Sequence, residues 1–153
     1  MNYDTYMNHD EEYPQEYLAN ILNSVKTIAM IGASPDPTKF SYGVLRVLNE
    51  TGYEMLPVNP KEAGKKIRGL KVYESISKID KKIDMVQVFR DSKFLVDIAK
   101  EAIKINAKVL WGQIGVKNNE AARLAEEAGL KVVMNRCPKI ELSIPFWKPR
   151  LNQ

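Results

Sequence analysis

The residues best suited to chemistry in this sequence form a turn of small side chains after an apolar run. Residues 27–34 read Thr-Ile-Ala-Met-Ile-Gly-Ala-Ser, and a helical pattern begins near Ser41. A loop that leads from a strand into a helix brings backbone N–H groups to the helix N-terminus, where free donors and the helix dipole both favour phosphate. Gly32 has no Cβ to obstruct a ligand, Ala33 is small, and the Ser34 hydroxyl can donate to a phosphate oxygen. The turn therefore predicts a phosphate site, although any strand-to-helix connection also needs a tight turn.

This turn departs from the dinucleotide-binding fingerprint. That pattern has three glycines within six residues and an acidic side chain about 20 residues later, which holds the ribose 2′-hydroxyl. Here the next glycine after Gly32 is Gly43, and the second predicted strand ends in Val58-Asn59-Pro60 without a carboxylate. These departures argue against NAD. A phosphorylated adenosine stays open, because basic side chains crowd the same edge: Lys39, Lys61, Lys65, Lys66 and Arg68.

Groups for catalysis are few. The single histidine, His9, lies in an acidic N-terminal segment, so we expect no Ser-His-Asp arrangement, and no close group of His, Cys and carboxylates suggests a metal. The single cysteine, Cys137, follows Arg136. A thiolate beside an arginine can be reactive, whereas a lone buried cysteine is usually inert, and both interpretations stay open.

Alternating strand and helix patterns position these residues. Short apolar runs that stop at a glycine or at Asn-Pro predict buried strands, and apolar residues three or four apart predict helices. The predicted strands are 27–31, 54–58, 84–89, 108–111 and 131–134, with a brief extended piece at 71–73. The predicted helices are a short one opened by Pro14, then 41–51, one capped by Asp91 or Ser92, and 118–128, with a helical turn near 75–79. We therefore predict a single Rossmann-like, doubly wound α/β domain with a mainly parallel sheet.

Composition and charge narrow the class of protein. The chain has 153 residues, of which 44% are hydrophobic and 27% charged, as expected for one globular domain. We predict an acidic flexible tail at 1–13, a ligand-binding domain at 14–140 and a proline-containing C-terminal tail at 141–153. Residues 1–17 hold no Lys or Arg, so the remainder is strongly basic and favours an anionic partner. Nucleic acid and membrane are not expected as partners, and the single cysteine and lack of a signal peptide predict the cytoplasm.

Six short motifs occur along the chain in a recognisable order and spacing. They are Gly32-Ala33-Ser34, Ser41-Tyr42-Gly43-Val44, Pro57-Val58-Asn59-Pro60, Val88-Phe89-Arg90, Trp111 with Gln113 and Gly115, and Asn135-Arg136-Cys137-Pro138. Together they resemble the stand-alone CoA-binding domain proteins, which are similar to the nucleotide-binding domain of the succinyl-CoA synthetase α subunit. The resemblance covers roughly residues 21–138, and six motifs in register are specific although each is modest alone.

The resemblance implies coenzyme A as the cofactor and a role for each matched residue. The implied site consists of the phosphate turn Gly32, Ala33 and Ser34; Lys39 and Ser41 at the pyrophosphate, with Tyr42 packing nearby; Asn59, Pro60 and Lys61 at the edge of the second strand; and Val88, Phe89 and Arg90 against adenosine or the pantetheine arm. If the strand 84–89 crosses to the opposite side of the first strand, the tips at Ile31 and Phe89 flank the switch point where such sheets bind ligands.

The resemblance implies binding and supplies no catalytic group. Succinyl-CoA synthetase passes phosphate through a histidine in a second domain of its α subunit, and we expect this chain to end before such a domain. The leading hypothesis is non-catalytic binding of CoA or an acyl-CoA at the carboxyl ends of the sheet, as a carrier, sensor or regulatory module. Two alternatives stay open: an NADP-linked oxidoreductase that uses the same pocket, and an acyl-CoA-handling enzyme that uses Cys137. The sequence defines neither a protein partner nor an oligomeric state.

Overall fold

The computed structural model describes residues 6–144. These residues contain seven strands, of which five form one parallel sheet. The strands are β1 (Thr27–Ile31), β2 (Glu54–Val58), β3 (Lys66–Ile67), β4 (Leu70–Lys71), β5 (Met85–Val88), β6 (Val109–Gly112) and β7 (Lys131–Val133). The helices are α1 (Gln15–Ser24), α2 (Phe40–Thr51), α3 (Leu95–Lys104), α4 (Asn119–Glu127) and α5 (Pro138–Leu142). Three short 3-10 turns lie at Pro60–Glu62, Ile76–Lys78 and Ser92–Phe94.

The large sheet has the order β2-β1-β5-β6-β7 with every neighbouring pair parallel. Strands β2 and β5 therefore lie on opposite sides of β1, so the chain reverses its direction of progress across the sheet at β1. In the register of the strands, Ile31 is paired with Val58 on one side and with Val88 on the other. The predicted Rossmann-like fold is confirmed, and the tips of β1 and β5 flank the switch point as expected.

Helices cover both faces of the sheet, and the side chains of β1 show how. Ile28 and Met30 pack into one apolar cluster with α1, α2 and α5, whereas Ala29 and Ile31 pack into a second cluster with α3 and α4. Since both faces are covered, each residue of a strand finds apolar neighbours whichever face its side chain points to. This is why the strand sequences are nearly continuously apolar.

Helix boundaries follow the capping residues. The Asn118 side chain accepts a hydrogen bond from the Ala121 N–H at 2.8 Å and so caps α4, which begins at Asn119. The sequence had placed the first helical residue one position earlier, at Asn118. Gly52, with φ 122°, ends α2 as predicted.

The hairpin β3–β4 was not predicted. The sequence indicated a loop followed by an extended piece at 71–73, whereas the structure has an antiparallel pair two residues long on each side. Arg68 and Gly69 turn the chain with φ values of 51° and 81°. Two residues are too short to show an alternating pattern, so the sequence carries no periodic signal for this element.

Two tyrosines hold the N-terminal part of the chain against β7. The hydroxyl of Tyr17 accepts a hydrogen bond from the Val132 N–H at 3.0 Å and donates to the Val132 carbonyl at 2.8 Å. The hydroxyl of Tyr13 accepts one from the Met134 N–H at 2.7 Å. Burial raises the pKa of Tyr13 to about 12, so this hydroxyl keeps its proton at neutral pH.

Residues 6–13 belong to the segment that the sequence predicts as a flexible tail. In the structure, His9 and Glu126 are almost fully buried and lie 3.1 Å apart, and the Met7 N–H donates to the same Glu126 carboxylate at 3.0 Å. Lys117 pairs with Asp10. At the other end, α5 extends into the predicted C-terminal tail, and Pro145 and Pro149 lie outside the described residues.

Candidate functional site

The loop after β1 is closed against its two neighbouring strands. The N–H groups of Gly32 and Ala33 both donate to the Val58 carbonyl, at 3.0 and 3.3 Å. Gly32 has a φ of 90°, and a Cβ placed on it would lie 2.6 Å from the Phe89 carbonyl oxygen. The sequence interpretation left this space for a ligand, whereas the backbone of Phe89 fills it. Glycine is needed here for the approach of two main chains.

The rest of the loop, residues 34–39, is braced by its own hydrogen bonds. The Ser34 hydroxyl accepts from the Asp36 N–H at 3.1 Å, and the Asp36 carboxylate accepts from the Thr38 N–H at 2.9 Å and from the Thr38 hydroxyl at 2.7 Å. These two bonds lower the pKa of Asp36. The loop leads into α2, whose first turn carries no acidic residue, so its free N–H groups and dipole remain suited to an anion.

Asn59 ties this loop to the tip of β2. Its side-chain N–H donates to the Ala33 carbonyl at 2.8 Å, and its side-chain oxygen accepts from the Lys61 N–H at 2.9 Å. We call the loop after β1, residues 32–39, the phosphate-type loop. One side chain therefore fixes this loop and the 3-10 turn Pro60–Glu62 with respect to each other. The role of Asn59 seen here is structural, and its amide has both of these bonds inside the fold.

A cleft of about 550 Å³ opens on one side of the loop. Residues 37–40 and the first turns of α2 form one wall, the tips of β5 and β6 form its floor, and α5 forms the opposite wall. Phe89 and Gln113 line the floor, and Cys137, itself only 6% exposed, lines the side of α5. The volume lies in the range usual for a pocket that takes a small organic ligand.

A buried amide pair lies at the floor of this cleft. The side chain of Gln87, on β5, is completely buried and donates to the Gln113 oxygen at 3.3 Å. Within residues 6–144 the side-chain oxygen of Gln87 has no hydrogen-bond partner. A buried acceptor without a partner is costly, and such groups commonly mark the place of a water or a ligand atom.

A smaller cavity of about 200 Å³ lies on the other side of the loop, between the tips of β1 and β2 and the start of α3. The Arg90 guanidinium lies 4.1 Å from the centre of the Phe94 ring, and both side chains line this cavity. Asp97 and Glu101 line it too. The cavity thus combines a flat cation–aromatic pair with hydrogen-bond acceptors.

The structure divides the predicted site residues into four groups. The large cleft is lined by Lys39 and Phe89, and the small cavity by Pro60 and Arg90. The loop and turn between the two cavities contain Gly32, Ala33, Ser34, Asn59 and Lys61. The last group lines neither cavity and consists of Ser41, Tyr42 and Val88. Of the last group, Ser41 and Val88 are buried, and Tyr42 packs under Arg68, whose guanidinium lies 5.7 Å from the ring centre. A helix turns its successive residues to different sides, so matched neighbours in a motif need not reach one cavity.

Several residues of the large cleft were absent from the predicted set. They are Phe40, Ile114, Lys139 and Ile140 on its rim, with Gln87 beneath its floor. Phe40 follows Lys39 directly, and Ile114 follows Gln113, so a signal was present in the sequence next to matched residues. Gln87 gave a weaker signal as the one polar residue in the strand Met85–Val88.

The Arg136 guanidinium contacts two residues of the N-terminal segment. It lies 3.9 Å from the Glu12 carboxylate and 5.6 Å from the centre of the Tyr13 ring. Burial raises the pKa of Glu141 in α5, and the Arg136 cation partly offsets that rise. Activation of the Cys137 thiol by this cation stays a hypothesis.

Metal sites and membrane-spanning helices are absent from the described residues. Between residues 6 and 144, no three His, Cys, Asp or Glu side chains are grouped so that they could hold a metal ion. No helix in that same stretch is long and apolar enough to span a membrane.

Comparison with known proteins identifies related chains. A family model described as a CoA binding domain matches residues 26–143. The protein YneT of Bacillus subtilis, described as uncharacterized, is 37% identical over 123 residues, which cover 80% of this chain and 90% of YneT. A hypothetical protein of Pyrococcus horikoshii has a solved structure that superposes with a TM-score of 0.80 at 40% identity, covering 85% of this chain and 90% of that one.

A longer enzyme subunit shares the same region. The α subunit of an ADP-forming acetate–CoA ligase from Pyrococcus furiosus is 31% identical over 119 residues, which make up 71% of this chain. The match spans only 26% of that subunit. The likeness therefore concerns one part of the ligase subunit.

Proposed function

This chain belongs to the CoA-binding domain family, and we propose that it binds coenzyme A or an acyl-CoA without catalysing a reaction, as a carrier, sensor or regulatory module. Coenzyme A is its cofactor through that membership. The observation that supports the proposal best is the placement of two cavities on either side of one phosphate-type loop at the switch point of the sheet. An elongated ligand with a phosphate centre fits that arrangement.

In this proposal the pyrophosphate lies at the loop. The N–H groups of Gly32 and Ala33 are already bonded to Val58, and that of Tyr42 is bonded to Lys39. The contacts therefore come from the Ser34 hydroxyl, the Lys39 ammonium and the N–H groups of Phe40 and Ser41 at the start of α2. Adenosine then occupies the small cavity against the Arg90–Phe94 pair, and the pantetheine arm follows the large cleft toward Gln113. The sequence interpretation had left open which end of the ligand meets residues 88–90.

The lining of the large cleft supports binding more than catalysis. Among the described residues that line it there is no histidine and no carboxylate. Histidine and carboxylates are the groups that most often carry general acid–base catalysis, although lysine and cysteine can also do so. The polar side chains present are those of Thr38, two lysines, Gln113 and Cys137, which can bind and orient a ligand.

The test is a titration of one sample with CoA, 3′-dephospho-CoA and NADP. We expect CoA to bind best and NADP poorly, because the nicotinamide half replaces the flexible pantetheine that the cleft accepts. If a lysine such as Lys61 holds the 3′-phosphate, dephospho-CoA binds roughly ten- to a hundredfold more weakly, since one charge-assisted contact contributes about 1.5–3 kcal/mol. Tighter binding of NADP than of CoA would overturn the proposal in favour of the oxidoreductase.

Thermal denaturation gives an independent reading of the same proposal. A ligand that binds only the folded state raises the melting temperature by mass action. Millimolar CoA should therefore shift the melting curve clearly more than millimolar NAD does. Equal shifts with the two compounds would remove the support for a CoA-specific site.

A further inference from the structure

Exposed apolar side chains gather around the large cleft. Among residues 6–144, four large hydrophobic side chains are strongly exposed: Phe40 at 88%, Ile114 at 58%, Ile140 at 54% and Tyr6 at 43%. The first three all line the large cleft, and Tyr6 lies elsewhere, beside Arg123. We call Phe40, Ile114 and Ile140 the apolar rim.

The apolar rim is assembled from three separate elements. Phe40 begins α2, Ile114 follows β6, and Ile140 lies in α5. A single exposed apolar residue is normal on a protein surface, whereas several around one cleft mark a site that binds an apolar group. Because the three residues are far apart in sequence, local chain packing alone does not bring them together.

A second observation comes from the floor of the same cleft. Gln113 lines the cleft and is hydrogen-bonded to the buried Gln87, whose side-chain oxygen has no partner among the described residues. The unused oxygen of Gln87 can only accept, so it suits a ligand N–H such as that of an amide. The carbonyl of a thioester can instead accept from the side-chain N–H of Gln113. Polar recognition thus lies at the floor of the cleft, and apolar surface lies toward its mouth.

We infer that this cleft holds an acyl-CoA whose acyl group is an apolar chain longer than acetyl, with the thioester and its neighbouring amide at the Gln87–Gln113 pair and the chain against the apolar rim. The inference rests on the proposed function and specifies its ligand. The apolar rim belongs to the cleft that adjoins the phosphate-type loop, so one ligand can contact both. A concave cavity of about 550 Å³ suits the acyl chain of a small ligand better than it suits a protein partner, since protein partners usually dock on flatter surfaces.

The experiment is a calorimetric titration with CoA, acetyl-CoA and hexanoyl-CoA on the same protein. Each fully buried methylene is expected to tighten binding about fourfold, or ~0.8 kcal/mol. Because the rim is open, we expect hexanoyl-CoA to bind roughly tenfold more tightly than acetyl-CoA, which corresponds to about half of its added methylenes being covered. The quantity compared between proteins is this hexanoyl-to-acetyl ratio.

Substitutions locate the effect. In Ile114→Ser and Ile140→Ser we expect the ratio to fall to within about threefold of unity, because the apolar contact is lost. Tyr6→Ser, which also removes an exposed large hydrophobic side chain but outside the cleft, should keep the ratio of the unsubstituted protein. A ratio that responds equally to all three substitutions would overturn the assignment of the rim.

The outcomes separate this inference from the proposed function. If CoA binds and chain length has no effect, the inference fails and the proposed function stands. If none of the three compounds binds, the proposed function itself fails. If Ile114→Ser or Ile140→Ser instead converts a dimer to a monomer in sedimentation, without any dependence on chain length, the rim is an interface between copies of the chain and the inference is overturned.

Discussion

A Cβ on Gly32 would lie 2.6 Å from the carbonyl oxygen of Phe89, a separation that real Cβ atoms essentially never show. The carbonyl belongs to the main chain at the tip of β5, so it cannot swing aside as a flexible side chain would. The same glycine has a φ of 90°, which side chains rarely permit. Gly32 therefore sets how closely the two strands meet beneath the site.

The first prediction concerns this contact. Gly32→Ala should lower the free energy of unfolding by about 2–4 kcal/mol, because the change adds a steric overlap to an unfavourable φ. Gly43→Ala is the matched control, since Gly43 lies in α2 with a helical φ and nothing lies within 4 Å of its Cβ position. That change should stabilise by about 0.4–1 kcal/mol. Urea denaturation without ligand measures both, and similar values for the two variants would contradict the steric account.

The second prediction concerns the pH dependence of Asp84. Its carboxylate accepts hydrogen bonds from the N–H groups of Lys26 at 2.8 Å and Thr27 at 3.2 Å, with the Lys108 ammonium 3.8 Å away. Burial alone would raise the pKa of Asp84, but these donors and the cation outweigh it and hold the pKa below its ordinary value of 3.8. The stabilisation is therefore present above pH 3.8 and is lost as the pH falls through the lower pKa of the folded state.

Asp84→Asn should accordingly cost about 1.5–3 kcal/mol of stability at pH 7, and the difference from the unsubstituted protein should shrink as the pH falls below 3.8. The measurement is a series of denaturant titrations from pH 7 downward. Asp80→Asn, at an exposed position close by, should change stability by no more than about 0.5 kcal/mol at any of these pH values. A cost that stays constant with pH would show that shape, and not charge, is responsible.

The third prediction concerns Cys137 and the coenzyme thiol. Because Cys137 lines the large cleft, CoA disulfide should react with it. The Cys137 thiolate attacks one sulfur of the disulfide, forms a protein–CoA mixed disulfide and releases one CoA thiolate. Intact-protein mass spectrometry should show the addition of one CoA, and Cys137→Ser should show none.

An unchanged mass, under conditions in which a small alkylating reagent labels the same thiol, would mean that the pantetheine arm does not reach α5. We expect the reaction to be slow, since Cys137 is only 6% exposed.

The sequence predicted the strands of the large sheet and their parallel arrangement, because continuous apolar runs and glycine stops are strong local signals. It gave the switch point only on the condition that strand 84–89 crosses to the other side of β1, and the structure supplies that strand order. It did not predict the reason for Gly32, since the atom that excludes a side chain there comes from residue 89, which is distant in sequence. The buried amide of Gln87 was overlooked for a similar reason, because its partner Gln113 lies just after the neighbouring strand β6. Such contacts depend on the register between strands, which is fixed only when the sheet forms.

The apolar rim illustrates the same limit. Phe40, Ile114 and Ile140 each occur in a segment that has other apolar residues, so their apolar character alone does not distinguish them from core positions. Only their exposure in the fold does so. By contrast, Arg90 lies in a family motif and Lys39 lies two residues before another. Each lines a cavity in the structure, because these motifs lie at strand and helix ends that the topology brings together.

The fourth prediction concerns Tyr13. Tyr13→Phe keeps the ring and removes the hydroxyl, which leaves the Met134 N–H without its acceptor. We expect a loss of about 1–3 kcal/mol in the free energy of unfolding, the usual cost of an unsatisfied buried donor. Tyr6→Phe at an exposed position is the control and should change little. Equal stability of the two variants would indicate that water replaces the hydroxyl.

The hydroxyls of Tyr13 and Tyr17 also bear on how this sheet ends. Strand β7 is the last strand on its side, and the outward backbone groups of such a strand can pair with a strand from another molecule and begin aggregation. The two phenols occupy the outward N–H groups of Val132 and Met134, so the edge offers no continuous ladder to an incoming chain. Detachment of the N-terminal segment would reopen that ladder, and self-association would then be limited by how firmly this short stretch of chain stays in place.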